Sequence, residues 1–307
     1  MNKIANVEFI VPTADENEVL ERLDSSYTKV SEMSRDQTAF LNALILRNRP
    51  KKLLELGVSA GGSSIIMLNS IKEFPEANLY SIDLTDNWYK DNSKRTGFFV
   101  DHYPLLKPKW KLFTGGLALN FIEKIAHGGR IDFCLIDTAH INPGEIFDVL
   151  MVLPFLEDDA VIVFHDISLH TWYFSQKKYL LGEMAITNNL LMSSVTGRKL
   201  LPGNYVGEYF PNIAGITINK DSKENIFEVF NLLLLKWTYL PTEKQEREIM
   251  SYFEKYYDKY YIDYLRKVFS YQKMVTANDK RHRMKKNIKK ILGEKNIIRI
   301  KKMLGRK

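Results

Sequence analysis

The segment Leu53-Leu54-Glu55-Leu56-Gly57-Val58-Ser59-Ala60-Gly61-Gly62-Ser63-Ser64 decides how this chain is read. An apolar run enters a glycine turn, and a helical pattern leaves it near Ser63. Glycine lets a backbone approach a ligand closely, and a helix N-terminus offers unpaired N–H groups to it. The glycines run G-x-x-x-G-G, so the G-x-G-x-x-G dinucleotide fingerprint is not matched. A glycine turn alone would mark any strand–helix junction.

The residues beyond the turn narrow the possibilities. A second apolar run, Leu79–Ile82, ends in Asp83, where a carboxylate is placed to accept hydrogen bonds from both hydroxyls of a ribose. Further runs lie at Lys52–Leu56, Lys111–Phe113, Phe133–Ile136 and Ala160–Phe164, with amphipathic segments near 63–73, 117–126 and 144–153. Short buried runs alternating with helices predict an α/β fold with a doubly wound, Rossmann-like and mainly parallel sheet of seven strands. A last pair, Tyr205–Tyr209 and Ile213–Asn219, reads as a hairpin at the sheet edge.

The same spacing divides the chain. Residues 1–50 read as an N-terminal helical addition, with Asp15 as N-cap of a pattern over 15–48 and Pro50 closing it. Residues 51–220 form the nucleoside-binding domain, in which 168–204 is irregular and reads as a lid. Residues 221–279 return to helical periodicity with many aromatics, and 280–307 form a basic tail. The net charge of +7 is uneven, because 280–307 hold thirteen Lys/Arg against the single acid Glu294, leaving the rest at −5. One cysteine, Cys134, excludes a disulfide framework and a Cys-rich zinc site. No apolar run is long enough to span a bilayer, and the N-terminus lacks the pattern of a secretory signal, so a cytoplasmic location is expected.

Two further strand ends carry polar pairs. Ile131-Asp-Phe-Cys-Leu-Ile-Asp-Thr-Ala-His140 precedes Pro143-Gly-Glu, and Val161-Ile-Val-Phe-His-Asp-Ile167 comes later in the chain. In a doubly wound sheet Asp137, His140, His165 and Asp166 converge at the carboxyl edge, where ligands bind.

From about residue 35 to 167 these motifs resemble the class I S-adenosylmethionine-dependent methyltransferases. The branch is one with Glu-x-Gly-x-x-x-Gly-x-Ser in the first loop, Ile-Asp-x-x-His after strand four and His-Asp after strand five. It includes bacterial sugar and small-molecule O-methyltransferases. The resemblance implies that S-adenosylmethionine is bound by Glu55, Gly57, Ser59, Gly61, Ser63, Asp83 and Asp137, with Thr114 and Gly115 near the adenine. Ser59 replaces a common middle glycine, Thr138-Ala139 replaces the usual Gly-Asp, and Gly115-Gly116 lacks a polar adenine contact.

Methyl transfer to a hydroxyl needs an aligned acceptor and a base or metal to take its proton. His140, His165 and His170, oriented by an acid such as Asp166, are the candidate bases. Asp137 and Asp166 stand where some relatives hold Mg²⁺, although a His at 165 weakens the magnesium case. The expected activity is O-methylation, with a small-molecule or lipid-linked saccharide of surface-polysaccharide synthesis as acceptor. An RNA methyltransferase gripping phosphate with its tail, or a non-catalytic cofactor-binding fold, are the alternatives. The tail places Met284, Ile288, Ile291 and Leu292 on one face among cations, which suits an anionic membrane surface at the inner face. Nucleic acid ranks below it, because 280–307 contain no aromatic to stack on bases. A homo-oligomer is compatible with the sequence.

Overall fold

The computed structural model describes residues 6–203 and 212–292, with side chains to residue 279. In chain order its strands are β1 (Val7–Ile10), β2 (Lys52–Leu56), β3 (Asn78–Asp83), β4 (Asn87–Trp88), β5 (Asp91–Arg95), β6 (Trp110–Thr114), β7 (Ile131–Ile136), β8 (Leu156–His165), β9 (Arg198–Pro202) and β10 (Ile213–Thr217). The helices are α1 (Ala14–Glu21), α2 (Arg35–Asn48), α3 (Gly62–Ser70), α4 (Ile122–Ala126), α5 (Gly144–Val152) and α6 (Leu169–Ser175). They continue as α7 (Tyr179–Met184), α8 (Thr187–Ser194), α9 (Lys220–Glu224), α10 (Phe227–Leu232), α11 (Glu243–Tyr256) and α12 (Lys259–Leu292).

The main sheet runs β1-β9-β10-β8-β7-β2-β3-β6. Its central strands pair in parallel, Leu54 lying opposite Cys134 on one side and Tyr80 on the other. Strand order reverses at β2, so the ends of β2, β3, β7 and β8 open into one crevice. β10 runs antiparallel to both β8 and β9.

Among the described residues eight strands form this sheet, not the expected seven. The strands not expected are β1 and β9, which lie parallel to each other with Val7 opposite Lys199. Four residues of mixed polarity just before an acidic helical stretch gave no periodicity to read. The N-terminal addition is therefore not wholly helical. Its helical pattern breaks into α1, a 3₁₀ turn at Ser25–Lys29 and α2. The cap of α1 is Thr13 rather than Asp15: its hydroxyl accepts from the Glu16 N–H, and Glu16 reaches back to the Thr13 N–H.

The stretch expected as a lid is likewise corrected. Residues 169–194 form three short helices, but β9 within it is an integral strand between β1 and β10. Residues 205–209, expected as one arm of a hairpin, lie outside the described residues. Ile213–Thr217 pairs instead with β8 and β9.

Each sheet face is covered. On one side α2 and α3 bury Phe40, Ile45 and Ile65 against Leu53, Phe133 and Val163. On the other, α4, α5 and α8 meet the aromatic helices, where Phe147 has the rings of Trp237, Phe253 and Phe269 within 5.6–6.2 Å. The hydroxyls of Tyr252 and Tyr257 donate to the Met151 and Leu150 carbonyls, anchoring α11 on the last turn of α5. The 221–279 region is thus fixed to the helix that borders the crevice. Among the described residues no helix is long and apolar enough to cross a membrane.

Candidate active site

A cavity of about 580 Å³ opens at the carboxyl edge of the sheet. Pockets of this size suit a small ligand or cofactor. Its walls come from the β2–α3 turn, the ends of β3 and β7, the turn after β6, and α5 with α11.

The glycine turn is built for close approach. Gly57 has φ +87°, and its N–H donates to the Ile82 carbonyl at 2.9 Å. A Cβ there would lie 1.9 Å from the Asp137 carbonyl oxygen, so β2 and β7 can meet only with glycine. Ser59 sits at φ 54°, and its hydroxyl accepts from the Trp88 indole at 3.1 Å. Gly61 caps α3 in the left-handed region. Gly62 abuts the main chain at Ser31, so the loop before α2 closes over the α3 N-terminus.

Glu55 does not line the cavity. It is fully buried beneath the turn and accepts hydrogen bonds from Ser63 (2.6 Å), Ser64 (2.7 Å) and Ser81 (2.5 Å). Burial pushes its carboxyl up to about 7, against the opposing pull of the three hydroxyls. It is a strut that fixes α3 to β2 and β3, while Ser63 also reaches the cavity wall.

Asp83 lines the cavity and organises it. One oxygen accepts from the Val58 and Ser59 N–H groups (2.9 and 3.2 Å), and the other from the Thr85 N–H and hydroxyl (2.9 and 3.0 Å). Thr114 and Gly115 stand aside, since the Thr114 hydroxyl donates to Asp86 at 2.6 Å. Gly116, Leu117 and Ala118 take their place in the wall.

At the ends of β7 and β8 the two Asp/His pairs come together. His140 Nε2 lies 2.7 Å from Asp166, and its Nδ1 lies 2.9 Å from Glu145. His165 Nδ1 lies 3.1 Å from Asp137 and 3.4 Å from Asp166. Burial opposes charge on both rings, but the carboxylates win, holding His140 up to about 11 and His165 up to about 10. Burial resists ionisation of Asp166 too, yet His140 and His165 hold its carboxyl far below the ordinary range. His140 and Asp166 are themselves held at positive φ (50° and 57°), a conformation in which Asp and His are over-represented among non-glycine residues.

These contacts change what each group can do. Both nitrogens of His140 are engaged by carboxylates, so neither presents a free lone pair to an acceptor. His165 is buried, with Gln37 3.4 Å from its Nε2, and does not line the cavity. His170 lies on α6, outside the wall, with its pKa lowered by burial. Asp137 and His140 do line the cavity. One ligating atom each from Asp137, His140 and Asp166 lie within 4.8 Å of one another. Two carboxylates and an imidazole fit a divalent ion that displaces the His140 Nε2 proton from Asp166, and the nitrogen donor suits Mn²⁺ better than Mg²⁺.

Several wall residues gave no signal in the sequence. Glu32, Trp88 and Tyr89 form a rim in which the Tyr89 hydroxyl donates to Glu32 at 2.7 Å. Asp148, Thr138 and Tyr239 border the far end. Thr138 belongs to the motif at the end of β7; the others come from separate segments with no motif. Only Glu145 and Asp148, within the amphipathic stretch after His140, carried a hint, as acids on an apolar helix.

Residues 54–167 match the family model described as a methyltransferase domain. No curated protein matches the chain. Among solved structures, the O-methyltransferase TomG from Streptomyces achromogenes, involved in tomaymycin synthesis and in complex with SAM, is similar at 15% identity. That match covers 68% of this chain and 97% of that one, with a TM-score of 0.45. An O-methyltransferase from Bacillus cereus in complex with SAH is similar at 15% identity, over 67% of this chain and 91% of that one, at a TM-score of 0.43. The MycE methyltransferase of the mycinamycin pathway, in complex with Mg, SAH and mycinamycin VI, is 19% identical. It is matched over 67% of this chain and 54% of that one, at a TM-score of 0.41.

Proposed function

We propose that this chain is a class I, S-adenosylmethionine-dependent methyltransferase that methylates a hydroxyl oxygen of a small-molecule acceptor, and that the acceptor is a saccharide. The observation that carries this reading is that Asp137 and His140, with Asp166 paired to His140 at 2.7 Å, face the same cavity as the glycine turn and Asp83.

The turn from Gly57 to Ser63 receives the methionine end of the cofactor, and Asp83 receives the ribose. The sulfonium methyl is then directed toward the ends of β7 and β8. Transfer forms an O–CH₃ bond as the S–CH₃ bond breaks, and the hydroxyl proton must leave. Asp137 is the group that takes it, because its carboxylate meets the cavity with one oxygen paired to His165, while both His140 nitrogens are engaged and His165 is buried away from the wall. Those two cations and Asp166 share the charge around Asp137, so the proton is received in a fixed, nearly neutral network. A divalent ion held by Asp137, His140 and Asp166 would supply acidity to the acceptor hydroxyl.

Saccharide specificity is supported by the rim. Trp88 and Tyr89 offer ring faces and Glu32 a carboxylate, a combination suited to the apolar faces and hydroxyls of a sugar. We extend the proposal to a lipid-linked saccharide met at an anionic membrane surface through the basic 280–307 segment, whose side chains lie outside the described residues.

The test is a panel of acceptors incubated with methyl-labelled S-adenosylmethionine: free and lipid-linked oligosaccharides, catechols and RNA. Alkali-stable label on a sugar oxygen is the expected result. Label on RNA, or on catechols with none on sugars, overturns the saccharide reading.

A further inference from the structure

We propose that Asp148, presented from the second turn of α5, reads the exocyclic amine of the cofactor's adenine. This rests on the cofactor placement argued above. The turn after β6 leaves that amine without a polar side chain. It offers Gly115, Gly116 and Leu117, and the nearby Thr114 hydroxyl is spent on Asp86, which does not line the cavity.

The cavity runs from the glycine turn past Asp83 and continues between Leu84, Leu117 and Ala118 toward α5. Met151 and Ile249 make that end apolar, as the faces of a purine require. Asp148 interrupts this apolar lining with a carboxyl only 9% exposed. Among the described residues it accepts one hydrogen bond, from the Thr138 hydroxyl to Oδ2 at 3.0 Å. The other oxygen has no hydrogen-bond partner among the described residues, and Asp148 lines the cavity, so a ligand there can supply a donor.

Burial holds the carboxyl up to about 7, with the charge of Glu145 adding to the effect. Tyr239, which also lines the cavity, is shifted upward, first by burial and then by the Asp148 and Glu145 charges. Such an acid gains from a donor brought by a ligand. An amine on the edge of a base inserted between apolar walls supplies one, while Thr138 fixes the carboxyl plane. The recognising group would thus come from the helix after β7 rather than from the turn after β6.

The test compares S-adenosylhomocysteine with S-inosylhomocysteine, in which the 6-amino group is a 6-oxo group, by calorimetry on the full chain. Wild-type protein is expected to favour the amino ligand by roughly ten- to a hundredfold, the range for a hydrogen bond to a charged group. Asp148→Ala should bring the ratio close to one by weakening the amino ligand. Asp148→Asn, nearly isosteric and so less exposed to misfolding, should narrow it because an amide can face either edge. An unchanged ratio in both variants overturns the role of Asp148 while leaving cofactor binding intact. Failure of the wild type to bind either ligand overturns the cofactor placement and this inference with it.

Discussion

Gly57 and Asp137 touch through their main chains: a side chain on Gly57 would begin 1.9 Å from the Asp137 carbonyl oxygen. This contact ties the glycine turn of β2 to the end of β7, the two places to which we assign cofactor and acceptor. Gly57→Ala would meet both the clash and a positive φ, the latter alone costing about 1–3 kcal/mol. The expected result is a lower melting temperature and at least roughly tenfold weaker S-adenosylhomocysteine binding. Wild-type values in calorimetry and thermal denaturation would show that the strands are not held this closely.

Glu55 links stability to pH. Its native pKa is raised to about 7 from 4.5, mainly by burial, so the folded protein holds this proton more firmly than the unfolded chain. The stabilisation is complete below pH 4.5 and is lost as pH rises to 7, amounting to at most about 3 kcal/mol. Glu55→Gln should remove this component, so the difference in stability between variant and wild type shifts in favour of the variant from pH 5 to pH 8. Parallel denaturation curves at both values would contradict the assignment.

Asp166 is placed to act in turnover more than in cofactor binding. Asp166→Asn keeps the size and tolerates the positive φ, but removes the charge that holds His140 and His165. Methyl transfer should fall by about 10²–10⁴-fold with S-adenosylhomocysteine affinity within a few-fold of wild type. The same variant should weaken Mn²⁺ binding, read by electron paramagnetic resonance. His170→Ala, remote from the cavity wall, should retain near wild-type rates. A large loss in His170→Ala with none in Asp166→Asn would reverse the two assignments.

The basic 280–307 segment gives a separate prediction. Full-length protein should sediment with phosphatidylglycerol vesicles in low salt, remain free of phosphatidylcholine vesicles, and lose the association when truncated at 279. Each cation near an anionic surface contributes about 1 kcal/mol, so the effect should weaken steeply with salt. Equal binding by the truncated chain would remove the tail from the membrane proposal.

Local pattern determined much of this protein. The alternation of apolar runs and helical stretches marks β2, β3, β6, β7 and β8, most plainly β2, β7 and β8, where burial on both faces leaves a run of apolar residues. The glycine turn, Asp83 and the two Asp/His strand ends were legible for the same reason: they sit at the ends of those runs. β1 and β9 escaped, since both are short and half-covered, and β1, at the sheet edge, pairs with a strand almost two hundred residues away.

The roles within the site were decided by tertiary structure. Glu55 reads as a cofactor ligand in the sequence, yet three serine hydroxyls from α3 and β3 enclose it. His140 reads as a base, yet Glu145 and Asp166 occupy both of its nitrogens. Asp148 read as one more residue of an amphipathic helix until packing of α5 against α11 turned it into a cavity wall. A sequence specifies which chemical groups are present and which strand end carries them. What each group can accept, donate or bind depends on its distance to groups from other segments and on its exclusion from water, and only the folded chain sets those.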